Sequence, residues 1–341
     1  MSESTPDGLE LPALTEFFAR TVPGFGGTLH AQMLAGGKSN LTYLLTDGEH
    51  RWVLRRPPLG NLTPSAHDMW REYRVVAALS GTDVPVAQAV AYDDTVLDVP
   101  FALVEYVEGP VLRTEEELRR LSPSDIRRCG EALVDVLASL HAVDPHTVGL
   151  GDFGRPEGYL ERQVRRWYDQ WQRVRTRELP DIDALHARLA ELCPAESGAS
   201  IVHGDYRIDN TILDPGDPGR IRAVVDWEMA TLGDPLADLG LYLVYADPSF
   251  APVLAGSAAS TSSALPSARE VAQRYAETSG RDLSRLEFYL GLGYFKIAVV
   301  AEGIHARYQQ GMTRGEGFDR VGEAVAPLAA GGLRALKGDI A

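Results

Sequence analysis

Cysteine, positive charge and unbroken apolar sequence are all scarce in this chain of 341 residues. Its two cysteines, Cys129 and Cys193, form no CxxC pattern. That excludes a disulfide-scaffold class and reads as reduced thiols in a cytoplasmic protein. Lys and Arg number 33 against 48 Asp and Glu, a net charge of −15. Such a surface repels nucleic-acid phosphates and anionic membranes, so neither is an expected partner. The longest apolar run, Phe288 to Ile304, is interrupted by Lys296 and Glu302, which suits a buried helix and not a membrane span. The N-terminal MSESTPDGLE is polar and acidic, unlike a signal peptide, so a cytoplasmic location is expected. What is present is ordinary for a globular chain: 45% hydrophobic and 24% charged residues. The length suits two lobes. Nothing in the pattern fixes an oligomeric state.

The segments before residue 107 read mostly as strand, at 28–35, 41–47, 51–56, 86–92 and 100–107. One helix, SAHDMWREYRVVAALSG, interrupts them, with Ser65 and Asp68 at capping-box spacing and Gly81 as its stop. From residue 108 the chain becomes helical, with helices at 114–121, 123–142, 157–177 and 181–192 and again from about 235. Residues 200–226 break that run as strand, loop, strand, a turn at Pro215–Gly219, and strand. Ser267 with Glu270 and Ser284 with Glu287 cap the last two long helices. The small-residue stretch 255–267 reads as a linker or loop. The expectation is an α+β fold: a β-rich lobe over 1–107, with one key helix, and a helical lobe over 108–341 with a hairpin embedded in it.

The chemistry concentrates in HGDYRIDN, His203 to Asn210. It sets Asp205 after an apolar strand and Asn210 five positions on, and Asp226 ends the next apolar strand in AVVDW. Phosphoryl transfer needs a carboxylate to take the proton of an attacking hydroxyl, and hard oxygen donors to hold Mg²⁺ against phosphates. The Asp205–Asn210 interval equals that of the HRDxxxxN kinase loop. A polar turn alone would account for the eight residues, but not for Asp226 as well. Arg207 reads either as a cation reaching the transferred phosphate or as a solvated loop residue. Asp152-Phe153-Gly154 spells a kinase motif but precedes the loop and follows no strand, so it reads as a turn.

In the helix after residue 65, Met69, Glu72, Val75, Val76 and Leu79 share one face. Glu72 is thus a carboxylate on an apolar stripe and needs a partner. Arg55 in the preceding strand is the candidate, with donors to spare for nucleotide phosphates. Gly36-Gly37-Lys38-Ser39-Asn40 lies between two strands, where Gly37, Ser39 and Asn40 could cover phosphates. It is not a Walker A loop, because position 32 is Gln32 and no helix follows. Glu105, Tyr106 and Val107 sit where strand gives way to helix and offer backbone groups to an adenine ring.

HGDYRIDNTIL, VVDWEMATLGDPLADLG, GGKSNLTY and WVLRRPP followed by REYRVVAAL together resemble the aminoglycoside phosphotransferase family, over roughly residues 25 to 310. PSAHDMWREYRV, GDFGRPEGYLERQVRRW and FKIAVVAEGIHARYQQG are most similar to the kinase-like domains fused to certain acyl-CoA dehydrogenases and their free-standing bacterial relatives. The resemblance implies a protein-kinase-like two-lobed fold and transfer of phosphate from ATP, with Mg²⁺, to a small-molecule hydroxyl. It implies Asp205 as base, Asn210 and Asp226 as metal ligands, and Arg55 with Glu72 in the phosphate-binding place where most kinases have Lys. His203 would orient the loop, Asp234 and Asp238 would brace it, and Glu228 would join the metal shell or stay exposed. Between Arg155 and Arg177 seven Arg face three acids, Glu157, Glu161 and Asp169. That suits an anionic hydroxy acid or hydroxyacyl-CoA better than a polycationic aminoglycoside, or it is a solvated helix face. Lys296, Glu302, Arg307 and Tyr308 are further candidates for the acceptor side. Two competing readings are a catalytically weak nucleotide-binding regulator and a metal-dependent hydrolase with His203 as a direct ligand.

Overall fold

Along RWVLRR, Trp52, Leu54 and Arg56 are buried while Arg51, Val53 and Arg55 alternate with them on the other face. This period of two is the signature of a strand, and it organises the first half of the chain. The structure is a computed structural model that describes residues 6–34, 40–59, 68–254, 258–312 and 317–339. It divides into two compact units. One holds the residues up to Glu108 with Arg222–Ala230, the other Gly109–Ile221 with the residues from Thr231 on.

The first unit opens with α1 (Leu11–Thr21), a helix absent from the expected layout. Its signal is in the sequence: Pro12 in the first turn and Leu14, Phe17 and Phe18 on one buried face. Strands β1 (His30–Met33), β2 (Leu41–Thr46) and β3 (Arg51–Arg56) follow. Helix α2 (Met69–Leu79) and strands β4 (Ala89–Asp93) and β5 (Phe101–Glu105) complete it. The sheet order is β1-β2-β3-β5-β4, and every pairing is antiparallel. Phe17 and Phe18 of α1 pack edge-on against Phe101 and Trp52, so α1 closes one face of the sheet. Helix α2 packs on β4 and β5 and buries the five residues expected of it, Glu72 included. Its cap is Asp68, whose side chain accepts from the Arg71 N–H. Ser65 lies outside the described residues.

The second unit contains α3 (Glu115–Leu118), α4 (Pro123–Ala142), α5 (Tyr159–Val174) and α6 (Pro180–Leu192). After them come β6 (Ser200–Val202), β7 (Thr211–Asp214) and β8 (Asp217–Val224), whose last three residues fall in the first unit, then β9 (Thr231–Gly233). Helices α7 (Pro235–Val244), α8 (Ala268–Ser279), α9 (Leu286–Gln309) and α10 (Val325–Ala335) end it. The apolar run of the sequence is α9, buried over most of its surface and packed against α5, α6, α7 and α10. No helix among the described residues is long and apolar enough to cross a membrane.

Several expectations are corrected. Strand β6 pairs with β9, a strand the sequence reading missed, while β7 and β8 form the hairpin. Strand β8 begins at Asp217, earlier than its turn residues suggested. Pro218 is tolerated because β7 and β8 form a two-stranded sheet, in which every strand has an unpaired edge. Strand β8 ends before Asp226, whose φ of 66° leaves the extended region. Residues 222–230 belong to the first unit and not to one continuous second lobe, because Val224 N–H donates to the Pro85 carbonyl at 2.8 Å and Arg71 donates to the Ala230 carbonyl at 3.0 Å. The Ser267–Glu270 box is formed, but α9 has no side-chain cap, and Ser284 donates to Asp282 instead. Of the stretch read as a linker, Ala258 to Ser260 and Ser262 are buried.

Gly240 of α7 lies directly against α9. A Cβ there would lie 2.5 Å from the Tyr289 carbonyl oxygen. Gly240→Ala is therefore expected to cost about 1–3 kcal/mol by forcing the helices apart. Denaturant unfolding reads this out, and an unchanged midpoint would refute the contact.

Candidate active site

Asp205 stands in the loop between β6 and β7, and each of its carboxylate oxygens is held. The Asn210 amide donates to Oδ2 at 3.0 Å and to the Asp205 carbonyl at 2.8 Å. The Tyr245 hydroxyl donates to Oδ1. Arg207 Nε lies 3.4 Å from the same oxygen. Because the Asn210 nitrogen is committed to Asp205, its Oδ1 is the atom turned to other use.

The loop backbone is fixed from below. Asp238, on α7 and almost fully buried, accepts from the His203 N–H at 2.6 Å and the Gly204 N–H at 2.8 Å. His203 is buried, and its Nδ1 accepts from the Asp205 N–H at 3.2 Å, so the ring orients the loop. His141 Nε2 lies 3.4 Å from Asp238, and its Nδ1 meets the Tyr275 hydroxyl at 2.7 Å. Asp234 caps α7 through the Leu236 N–H and accepts from Ser197 and from Tyr289. Asp238 thus braces the loop as expected, whereas Asp234 holds the start of α7 and the Ser197 segment instead.

Arg207 is tied more tightly than the sequence reading allowed. It pairs with Asp205 and Asp209, and its guanidinium lies 5.6 Å from the Tyr245 ring centroid. Burial raises the Asp209 carboxyl, and Arg207 offsets that. Arg207 is therefore a positioning residue for Asp205. Tyr245, Asp209 and His141 were missed. Tyr245 lies 40 positions from Asp205 in an apolar helix end, and no local pattern marks it.

In the first unit, Arg55 Nη1 pairs with Glu72 at 2.9 Å, as the apolar stripe required. Its Nη2 pairs with Asp226 at 3.0 Å, which was not anticipated. Burial pushes the Glu72 carboxyl up, and Arg55 opposes it. Arg55 Nε and Glu72 Oε2 are buried without a hydrogen-bond partner. Asp226 holds a left-handed conformation that a non-glycine residue adopts at a cost, and such strain gathers at functional positions. Asn40 is buried, and its amide donates to Glu228 at 3.3 Å, so Asn40 anchors the segment after Asp226. Gly37 and Ser39 lie outside the described residues. In the connector, the Glu105 and Tyr106 N–H groups donate to the Gln88 and Arg51 carbonyls. Two of the three connector N–H groups expected to meet an adenine are therefore already used within the first unit. The Arg51 guanidinium lies 4.4 Å from the Tyr106 ring centroid.

The remaining candidates divide. Lys296 Nζ donates to the Gly204 carbonyl at 2.6 Å, next to Asp205. Glu302 does not face the loop: it is buried, accepting from Thr176 N–H and Oγ1 at 2.7 Å and pairing with Arg177 at 3.1 Å. Arg307 and Tyr308 are exposed near the end of α9. Phe153 is buried in a turn, and Asp152-Phe153-Gly154 carries no strand. Both cysteines are free thiols. Among the described residues no cluster of three or more His, Cys, Asp or Glu side chains could hold a metal ion.

An antiparallel β unit, a helical unit and an aspartate loop with a paired Asn are the parts of a protein-kinase-like fold. The model of the phosphotransferase enzyme family matches residues 30–274, and the chain belongs to that family. It is 33% identical over 335 residues to human acyl-CoA dehydrogenase family member 11, covering 95% of this chain and 43% of that protein. The chain thus spans less than half the length of that relative. A crystal structure of a candidate aminoglycoside phosphotransferase from Ralstonia eutropha superposes with a TM-score of 0.82 at 32% identity, covering 96% of this chain and 98% of the other. The macrolide 2'-phosphotransferase MphH from Brachybacterium faecium shares the fold, with a TM-score of 0.58 at 23% identity, covering 93% and 99%.

Arg55→Met would leave the Glu72 carboxylate buried and unpaired, and is expected to destabilise by about 3–5 kcal/mol. Denaturant titration of the variant checks it, and a loss under about 1 kcal/mol would rule the pair out as a buried one. Burial holds the His141 imidazole below its ordinary value of 6.5. The unfolded chain then binds the proton first, so stability is complete above about pH 6.5 and falls as pH drops below it. Melting temperature against pH should show that loss, and His141→Gln should flatten it.

Proposed function

We propose that this protein is a magnesium-requiring kinase that transfers the γ-phosphoryl group of ATP to a hydroxyl of a small molecule. The observation that carries this reading is the tethering of Asp205: Tyr245 and Asn210 each hold one carboxylate oxygen. A carboxylate so fixed accepts the proton of the acceptor hydroxyl as that oxygen attacks phosphorus. The new O–P bond forms while the bond between γ-phosphorus and the bridging oxygen breaks. ADP leaves with that electron pair, and the proton passes from Asp205 to solvent.

The donor set fits Mg²⁺ and nucleotide. Asn210 Oδ1 and the Asp226 carboxylate are hard oxygen donors, each suited to Mg²⁺ that fills its other positions with phosphate oxygens and water. Bound Mg²⁺ would neutralise the phosphate oxygens. Arg55 would offer phosphate its unpartnered Nε, while Glu72 and Asp226 hold the rest of the guanidinium. Val107 N–H and the Tyr106 ring are what the connector would offer a nucleobase.

For the acceptor we favour an anion, a hydroxy acid or a hydroxyacyl-CoA, over a polycationic aminoglycoside. Support comes from the arginines of α5 and from the name of the human relative, an acyl-CoA dehydrogenase family member. Family membership supports phosphoryl transfer in general.

ADP release measured across hydroxylated metabolites should depend on Mg²⁺ and on acceptor. Asp205→Asn should lower the rate by about 10²- to 10⁴-fold. Nucleotide binding with no turnover of any acceptor would replace the kinase by a regulatory binder, and phosphate release without ATP would replace it by a hydrolase.

A further inference from the structure

Lys296 and Arg166 both lie against the indole of Trp167. Lys296 Nζ is 5.6 Å from the ring centroid, and the Arg166 guanidinium carbon is 5.8 Å from it. Trp167 is buried, and its Nε1 donates to Gln163 at 3.1 Å, so the indole's one polar group is already satisfied. Lys296 makes one hydrogen bond, to the Gly204 carbonyl at 2.6 Å. An ammonium carries three donors, so donors remain.

Lys296 is half-buried and Arg166 is exposed, and neither is paired as the cations held by carboxylates elsewhere are. Arg55 is paired with Glu72 and Asp226, Arg177 with Glu302, and Arg207 with Asp205 and Asp209. No carboxylate of the described residues forms an ion pair with Lys296 or Arg166. Burial lowers the Lys296 ammonium's hold on its proton, Asp205 and Asp238 raise it, and Arg166 lowers it again. Two cations thus share one aromatic surface beside the proposed base, with no carboxylate in ion-pair contact with either.

We propose that Lys296 and Arg166, on the Trp167 indole beside Gly204, form the subsite that binds an anionic group of the acceptor. The proposal rests on the kinase reading above and names the residues that would give it acceptor specificity. The anion is either the carboxylate of a free hydroxy acid or a phosphate of the CoA moiety. In both cases the ion pairs and the indole face position the acceptor with its hydroxyl toward Asp205. An aminoglycoside would bring positive charge to this place and be repelled.

The test uses three acceptors of one carbon skeleton: the hydroxycarboxylate, its neutral hydroxyamide and its CoA thioester. The readout is the ratio of kcat/KM for the anionic to the neutral acceptor within each variant, so any general loss of activity cancels. Wild type should favour an anionic acceptor by about tenfold or more, as expected for a charge-assisted contact. Arg166→Gln and Lys296→Met should each bring the ratio close to one, and Lys296→Arg should restore much of it. Preference for the free acid assigns the carboxylate, and preference for the thioester alone assigns the CoA phosphates. A wild-type ratio near one, or a ratio unmoved in both Arg166→Gln and Lys296→Met, overturns the subsite while leaving a kinase that phosphorylates the amide intact. Where no acceptor is phosphorylated, the kinase reading fails. The subsite is then judged by calorimetric titration of the nucleotide-free protein with the hydroxycarboxylate and the CoA thioester. Binding of either that is lost in Arg166→Gln supports it, and equal or absent binding overturns it.

Discussion

The Asp238 carboxylate is the constraint on which the catalytic loop depends. A loop that must present Asp205 needs its backbone N–H groups satisfied without a strand partner. Asp238 satisfies two consecutive ones, those of His203 and Gly204, with one buried side chain. Its position follows from α7, which Asp234 starts and Pro235 pre-organises. Its environment follows from His141 on α4. The geometry at Asp205 is thus set by elements far away in sequence, and the loop itself has little freedom left. That is the condition for a base that pays no reorganisation cost when charge develops.

The first unit solves a parallel problem by a different route. Its functional charge is a cation, and Arg55 is held by Glu72 and Asp226. A guanidinium suits this because its fork can serve two carboxylates at once and still keep a donor, which a lysine ammonium does less rigidly. The arrangement joins the phosphate-binding candidate to the metal-binding candidate within one unit. An arginine at this place therefore makes Asp226 and Glu72 mutually dependent, and the left-handed backbone at Asp226 is part of what that coupling holds in place.

What could be read from sequence follows from how local each constraint is. The pairing of Asp205 with Asn210 was legible because both lie at a fixed interval within one loop. Glu72 was legible because a carboxylate on an apolar helical face needs a partner, and Arg55 in the neighbouring strand met that need. The second partner of Arg55 was not, because Asp226 is 171 positions away and only tertiary structure brings them together. Tyr245 and His141 failed for the same reason: their partners lie far off in sequence, and nothing local distinguishes a bonded polar group from a passenger. Helix α1 was a different kind of miss, since the spacing of Leu14, Phe17 and Phe18 was there to be read. Strand β9 is three residues long and leaves no periodic signal.

The same contrast explains why the acceptor is harder to read than the chemistry. Base, metal donors and phosphate cation must match a transition state common to all phosphoryl transfer, so their residue types are constrained. The acceptor side has no such common demand, and helices α5 and α9 can change its charge without disturbing Asp238 or Asp205. In this chain those helices bring Lys296 and Arg166 to one indole and supply no carboxylate for either. Elsewhere a large excess of acidic residues neutralises the cations of the interior. Neither Lys296 nor Arg166 forms an ion pair with a carboxylate, in a chain whose net charge is −15. On the proposed reading, the partner charge is one that the acceptor brings.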